Sequence, residues 1–270
     1  MSTETLPVRI LYKGASTVMW QSHGDRRAPG LLPYPRVVEQ HLRARGHDVD
    51  TRVDAMSAQR VYDLMDRWER QATSEFPDVV VLHHGHMETV HAVIPRFIER
   101  HARANRERPG PVRQRYRRVL VRPLWKGLAV LQQRIDGAMP GPLARGLARR
   151  RARRTVAHLE QYLSCIDRLS SPLVVVMGLL PTGRVYADWF PGSVLRTEVI
   201  DRALRAMVAR RDSPRLLYLD LWDEGAAWDA RGEDPRPDGA HYTEAFHRRV
   251  GELLAARIEE WAATQPHLRG

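Results

Sequence analysis

Two places in the chain hold residue types that can carry out nucleophilic catalysis together. The first is Ser16, in LYKGAST (11–17), where Gly14 and Ala15 leave room for a sharp turn after an apolar run. A serine there points out at the open edge of a sheet, which suits a nucleophile and equally suits a helix cap. The second is RPDGAHYTEAFH (236–247), in which Asp238 and His241 stand three apart ahead of a long amphipathic segment. Acyl transfer by serine needs a hydroxyl, an imidazole in reach of its proton, and an acid that holds the imidazole tautomer. An Asp-x-x-His turn lets the carboxylate reach Nδ1 within one loop. The same spacing also fits an Asp that caps the last helix and a histidine left at the surface.

Whether these residues can meet depends on the elements that carry them. Five short runs are rich in Val, Leu and Ile: VRILYKG (8–14), HDVDTRVD (47–54), DVVVLHHG (78–85), PLVVVMGLL (172–180) and RLLYLDLW (215–222). DVVVL, LVVVM and RLLYLDL are near-continuous apolar runs, the pattern of strands buried on both faces of a parallel sheet. Helical spacing separates them at 33–46, ending at Gly46, and at 57–71, with Ser57 as a candidate N-cap and Val61, Leu64, Met65 and Trp68 on one face. Residues 197–211 and 243–261 read the same way. This alternation predicts a three-layer α/β fold, a central parallel sheet of five strands in flavodoxin-like order. In such a sheet all strand C-termini share one edge, so Ser16 and the Asp238–His241 loop can face each other there.

The stretch 101–154 interrupts the alternation and reads as a helical insertion within a single domain over 1–270. Turn signals at RERPGPVRQ (106–114) and GAMPGPLARG (137–146) bound a segment with Leu124, Leu128, Leu131 and Ile135 at helical spacing. The net charge is +11, and residues 111–154 carry 13 of the basic residues against one acid, Asp136, leaving the rest of the chain near neutral. A basic amphipathic helix can lie on a membrane, cover a site as a lid, or pack on its own domain with a solvated arginine back. An acidic partner or an anionic membrane surface at 111–154 is the expected macromolecular contact. No nucleic-acid motif accompanies the charge, so specific nucleic-acid binding is not expected.

With 43% hydrophobic residues the chain can build a packed core. One cysteine, Cys165, excludes a disulfide framework, and its helical context HLEQYLSCIDRL (158–169) reads as a small buried hydrophobe. No secretory pattern opens the sequence and no apolar run approaches the ~18 residues of a membrane span, so a cytoplasmic location is expected.

Taken together, ILYKGAST (10–17), DVVVLHHGHMET (78–89) and RPDGAHYTEAFHRRVGELL (236–254) fall in the order and spacing of the SGNH/GDSL hydrolase superfamily. The chain resembles that family over most of its length outside 101–154, and looks most similar to actinobacterial-type members with an Arg-rich helical insertion. The family comprises esterases, lipases, deacetylases and acyltransferases. On that resemblance Ser16 is the nucleophile, His241 the general base and then acid, and Asp238 the orienting carboxylate. It implies no cofactor and no metal, and a small-molecule or carrier-bound acyl substrate.

The resemblance is incomplete where the family binds the oxyanion. Ala15 replaces the family's Asp before the serine. The family's glycine after the second strand falls at Asp54 or Ala55, in VDAMSAQRV (53–61). Its asparagine after the third strand falls at Met87, behind Gly85 and His86, and a thioether cannot donate a hydrogen bond. His86 and His84 are the nearest candidate donors. Strand alternation predicts that these two share a face and that His83 takes the other. His83, His84, His86, His91 and Glu88 also contain metal-ligand types, although structural histidines explain them as well. Tyr34, Trp20, Met19 and Trp189 are candidate acyl-pocket residues or, equally, core and rim. The function expected is a serine-dependent hydrolase (esterase, thioesterase or deacylase) working through acyl-Ser16. The alternatives are an acyltransferase with the same triad, or a catalytically weak binding protein whose basic insertion contacts an acidic partner.

Overall fold

The computed structural model describes residues 6–19, 32–56, 58–66, 68–69, 76–92, 94–95, 97–99, 101, 110–169 and 171–265. Strand β1 (Val8–Gly14) leads into a 3-10 turn at Ser16–Val18, then α1 (Tyr34–Ala44) and β2 (Val49–Ala55). A 3-10 helix at Val61–Met65 precedes β3 (Val79–His83) and α2 (His86–Val90). Next come α3 (Pro111–Tyr116), a π turn at Arg117–Val121, α4 (Arg122–Ala138) and α5 (Gly141–Leu169). The chain closes with β4 (Leu173–Met177), α6 (Arg184–Trp189), α7 (Gly192–Arg211), β5 (Leu216–Leu219), α8 (Trp222–Ala230) and α9 (Glu244–Ala262).

The strands form one sheet in the order β2-β1-β3-β4-β5, with every pair parallel. β3 and β4 are buried along their whole length, which is why their sequences are apolar without alternation. Each side of the sheet has its own core. On one side Ile10, Tyr12, Val81 and Val175 pack against Val38 and Leu42 of α1 and Phe246, Val250 and Leu254 of α9. On the other, Val80, Leu82, Val174 and Val176 meet Leu159, Tyr162 and Leu163 of α5 and Ile200, Leu204 and Met207 of α7. The expected three layers are therefore present.

Three local expectations change. The helix placed at 57–71 is a 3-10 helix over Val61–Met65, broken at Asp66 before helical backbone at 68–69, and Ser57 lies outside the described residues. Side chains start it: the Arg60 N–H donates to Asp63 at 3.0 Å and the Val61 N–H to Glu88 at 2.8 Å. Asp66 then returns to extended backbone. The basic stretch does not end as an element at 154, because α5 runs through it and turns its C-terminal half into the core.

The third change concerns α4. Its inward face is not that of Leu124 and Leu131, which are exposed, but that of Val121, Ala129 and Gln132. Polar anchors set the rotation. Gln132 donates to the Val90 carbonyl and accepts from the Ala92 N–H at 2.9 Å. Asp136 accepts both terminal nitrogens of Arg196 at 2.8 and 2.9 Å, and Arg196 also donates to the Thr89 carbonyl. Pro123 has no N–H for the carbonyl four residues back, and the π turn ending at Val121 absorbs that break.

Because the Arg196–Asp136 pair is almost wholly buried, removing one partner strands a charge. Asp136→Ala should lower unfolding stability by about 3–5 kcal/mol. The Asp136→Ala/Arg196→Met double variant should recover part of that loss. Urea unfolding of the three proteins checks this; equal losses in single and double variants would contradict it.

Candidate active site

The site lies where the strand order reverses, between the C-terminal ends of β1 and β3. Gly14 ends β1 beside Ala55 of β2 and His83 of β3. A Cβ there would stand 2.5 Å from the Val18 side chain and 2.8 Å from the His83 carbonyl, so only glycine permits the chain to turn this tightly. Ser16 opens the 3-10 turn that follows. The first N–H groups of such a turn have no acceptor within it.

The structure brings Ser16, His241 and Asp238 together. Nε2 of His241 is 2.9 Å from Oγ of Ser16, and its Nδ1 is 2.7 Å from Oδ2 of Asp238. The other Asp238 oxygen accepts the N–H groups of Ala240 at 2.9 Å and His241 at 2.8 Å. Burial pushes the Asp238 carboxyl up, but these hydrogen bonds outweigh it and bring the group down to about 2. Ionised Asp238 can only accept, so His241 carries its proton on Nδ1 and turns a bare Nε2 toward the serine hydroxyl. Two contacts fix the loop in place. The Thr17 hydroxyl donates to the Ala240 carbonyl at 3.2 Å. Gly239 has φ 84° and lies against the Tyr186 ring, which a Cβ would meet at 2.7 Å. Thr243, rather than Asp238, caps α9, accepting from the Phe246 N–H at 3.2 Å.

The other candidates separate. Asp54 lies inside the β1–β2 ladder opposite Lys13, and its carboxylate pairs with that buried lysine at 3.1 Å. The chain turns only after Ala55, and the Met56 N–H is engaged by the Gly14 carbonyl and Gln59. Gly85 (φ 116°) caps α2, and Met87 is buried in the first turn of that helix. His86 stacks on Tyr186 at 5.6 Å between ring centroids.

The histidines do not follow strand alternation, because Gly85 ends the extended backbone. His83 and His86 line one small cavity with Thr17, Arg236 and Ala240, whereas His84 neighbours Lys13. His83 bridges the hydroxyls of Tyr34 and Tyr242, each at 3.2 Å. His91 bonds Glu99 at 3.0 Å. Among the described residues no three metal-ligating side chains converge.

Two side chains beside the triad have donors to spare. Nε2 of His86 is buried without a hydrogen-bond partner, as are Nε and Nη1 of Arg236. Sequence reasoning missed Arg236; its place two residues before Asp238 was the available signal. Burial, then the neighbouring His241 and Arg236, lower His86 to about 4, so it is neutral near pH 7. Of the proposed acyl-pocket residues, Tyr34 is fully buried core, Met19 packs against that core and Trp189 is half-exposed; Trp20 lies outside the described residues. Cys165 is half-buried. A cavity of about 530 Å³ lies away from these residues, between α4, α5 and α7, with Arg60, Glu88, Arg151 and Arg196 in its walls.

No family model and no curated protein matches the sequence. Solved structures do match in fold. A lipase/acylhydrolase from Enterococcus faecalis aligns with a TM-score of 0.59 at 15% identity, over 93% of this chain and 95% of that one. An acetylxylan esterase from Geobacillus stearothermophilus aligns at 0.56 and 13%, over 97% and 96%. An aryl esterase from M. smegmatis aligns at 0.54 and 17%, over 93% and 98%. The chain shares the α/β fold of these proteins over more than nine-tenths of its length.

The buried histidines give the fold an acid limit. Burial holds His83 at about 3, His86 at about 4 and His84 well below its ordinary value. Unfolding lets each return to about 6.5 and take up a proton, so each contribution is complete above that pH and is lost as pH falls toward the folded value. His84 has neither ring nitrogen hydrogen-bonded. His84→Leu should therefore gain stability relative to wild type by about 1–2 kcal/mol more at pH 5 than at pH 7. An equal difference at both pH values, by urea unfolding, would contradict this origin of acid sensitivity.

Proposed function

We propose that this protein is a serine hydrolase that cleaves carboxylic esters through an acyl-Ser16 intermediate. The observation that carries the reading is the unbroken hydrogen-bond chain from Ser16 through His241 to Asp238. The esterase and lipase folds that the chain resembles add support.

Ser16 Oγ attacks the ester carbonyl as His241 Nε2 takes its proton. Asp238 holds the imidazole in orientation and stabilises the imidazolium that forms. His241 then gives the proton to the leaving alcohol. Water attacks the acyl-serine with His241 again as base, and the acid leaves with Ser16 restored. The oxyanion receives the Ser16 N–H. Met87 gives it nothing, and neutral His86, with Nε2 unpartnered, is the side chain we assign to supply a second donor.

The test is intact-mass labelling with a fluorophosphonate probe. Wild type should take one adduct, and Ser16→Ala and His241→Ala none. Asp238→Asn should lower ester turnover by about 10⁴-fold, because the amide favours the wrong imidazole tautomer. Removing the His86 donor with His86→Phe should cost about 10²–10³ in kcat. A folded wild type that stays unlabelled would overturn the hydrolase reading in favour of a binding protein built on the same fold.

A further inference from the structure

The outer face of the helical stretch 111–138 combines exposed apolar side chains with a run of exposed cations. Val112 is 80% exposed, Val119 and Leu120 nearly 60%, and Leu124 and Leu131 about half. Among them stand the exposed cations Arg113, Arg115, Arg118, Arg122, Lys126 and Arg134, with no acid before Asp136, whose carboxylate is turned inward to Arg196. Several surface arginines elsewhere pair with acids, as Arg202 does with Glu198, Arg210 with Glu160 and Arg249 with Glu224. These six cations enter no ion pair among the described residues. The pattern continues onto α5, where Leu143 and Leu147 are exposed one turn apart beside Arg145 and Arg149.

The apolar residues cannot turn inward, because the bonds of Gln132 and Asp136 hold the opposite face against the β3 loop and α7. No described helix is long and apolar enough to cross a membrane. A basic helix with leucine and valine on its open side instead lies in the interfacial plane, apolar side chains among acyl chains and cations at anionic headgroups. We propose that 111–138, with the start of α5, docks this protein on an anionic phospholipid surface. A nucleic acid would meet the charge but leave the leucines in water, whereas an anionic bilayer meets both along the whole stretch.

The inner side of the docking helix connects to the neighbourhood of Ser16 and His241. Ala129, on its inner side, packs with Val90 and Phe190, and Tyr186 packs on that cluster while stacking on His86. Resting on the hydrolase reading, this places Ser16 to act on an ester borne by a membrane amphiphile.

Vesicle co-sedimentation of the full chain tests the docking without reference to catalysis. Binding should be strong to phosphatidylglycerol-containing phosphatidylcholine vesicles, weak to pure phosphatidylcholine, and reduced by salt. Neutralising Arg113, Arg115, Arg118 and Arg122 to Gln should weaken it about fivefold per residue. Leu120→Asp/Leu124→Asp should abolish it. All these sites are exposed, so circular dichroism and fluorophosphonate labelling should match wild type. Equal binding to neutral vesicles, binding unchanged by the Leu→Asp pair, or binding only to an acidic protein or nucleic acid would each overturn the proposal. Loss of labelling with vesicle binding intact would instead overturn the hydrolase reading alone.

Discussion

The Asp238 carboxylate accepts three hydrogen bonds from its own turn, two from backbone N–H groups and one from the His241 ring. That arrangement dictates where His241 can stand and which nitrogen it turns to Ser16. The turn is only as well placed as its neighbours make it. The Thr17 hydroxyl ties it to the end of β1, and Gly239 fits it beneath the Tyr186 ring. Both supports come from residues next in sequence to Ser16 and Asp238, so the end of β1 and the α6 helix together hold the three side chains in register.

Around that core the chain buries polar groups that constrain the insertion. Arg151 donates to the carbonyls of Glu88, His91 and Ala92. Gln132 and Arg196 hold the same loop from α4 and α7. The loop after β3, which carries His86 and Met87, is thus clamped by the basic helices. The cost is borne on the other side: a helix held by its polar face shows leucine and valine to solvent, and such a surface is stable only with charge around it or a partner upon it.

Much of this was readable in the sequence because burial on both faces leaves no ambiguity. DVVVL and LVVVM became β3 and β4, and the order of the five runs implied the sheet. The Asp-x-x-His spacing was equally direct, since its geometry is local. What escaped was set by partners distant in sequence. The rotation of α4 follows from Asp136 meeting Arg196, which no periodicity of leucines reveals. That His86 joins His83 instead of His84 follows from the backbone at Gly85. Tyr34, an inviting pocket residue by position, is a buried partner of His83. Asp54 is explained by Lys13 across the ladder and not by the oxyanion.

The central claim is that Ser16 becomes covalently acylated. The most direct measurement is acid quench of the wild-type protein during turnover of an activated acetate ester, followed by peptide mapping of the acetyl group. An acyl-Ser16 intermediate requires a single acetyl on the peptide that contains Ser16, accumulating before the steady state and absent from His241→Ala. Acetyl on another side chain, or turnover that persists in Ser16→Ala, would contradict it.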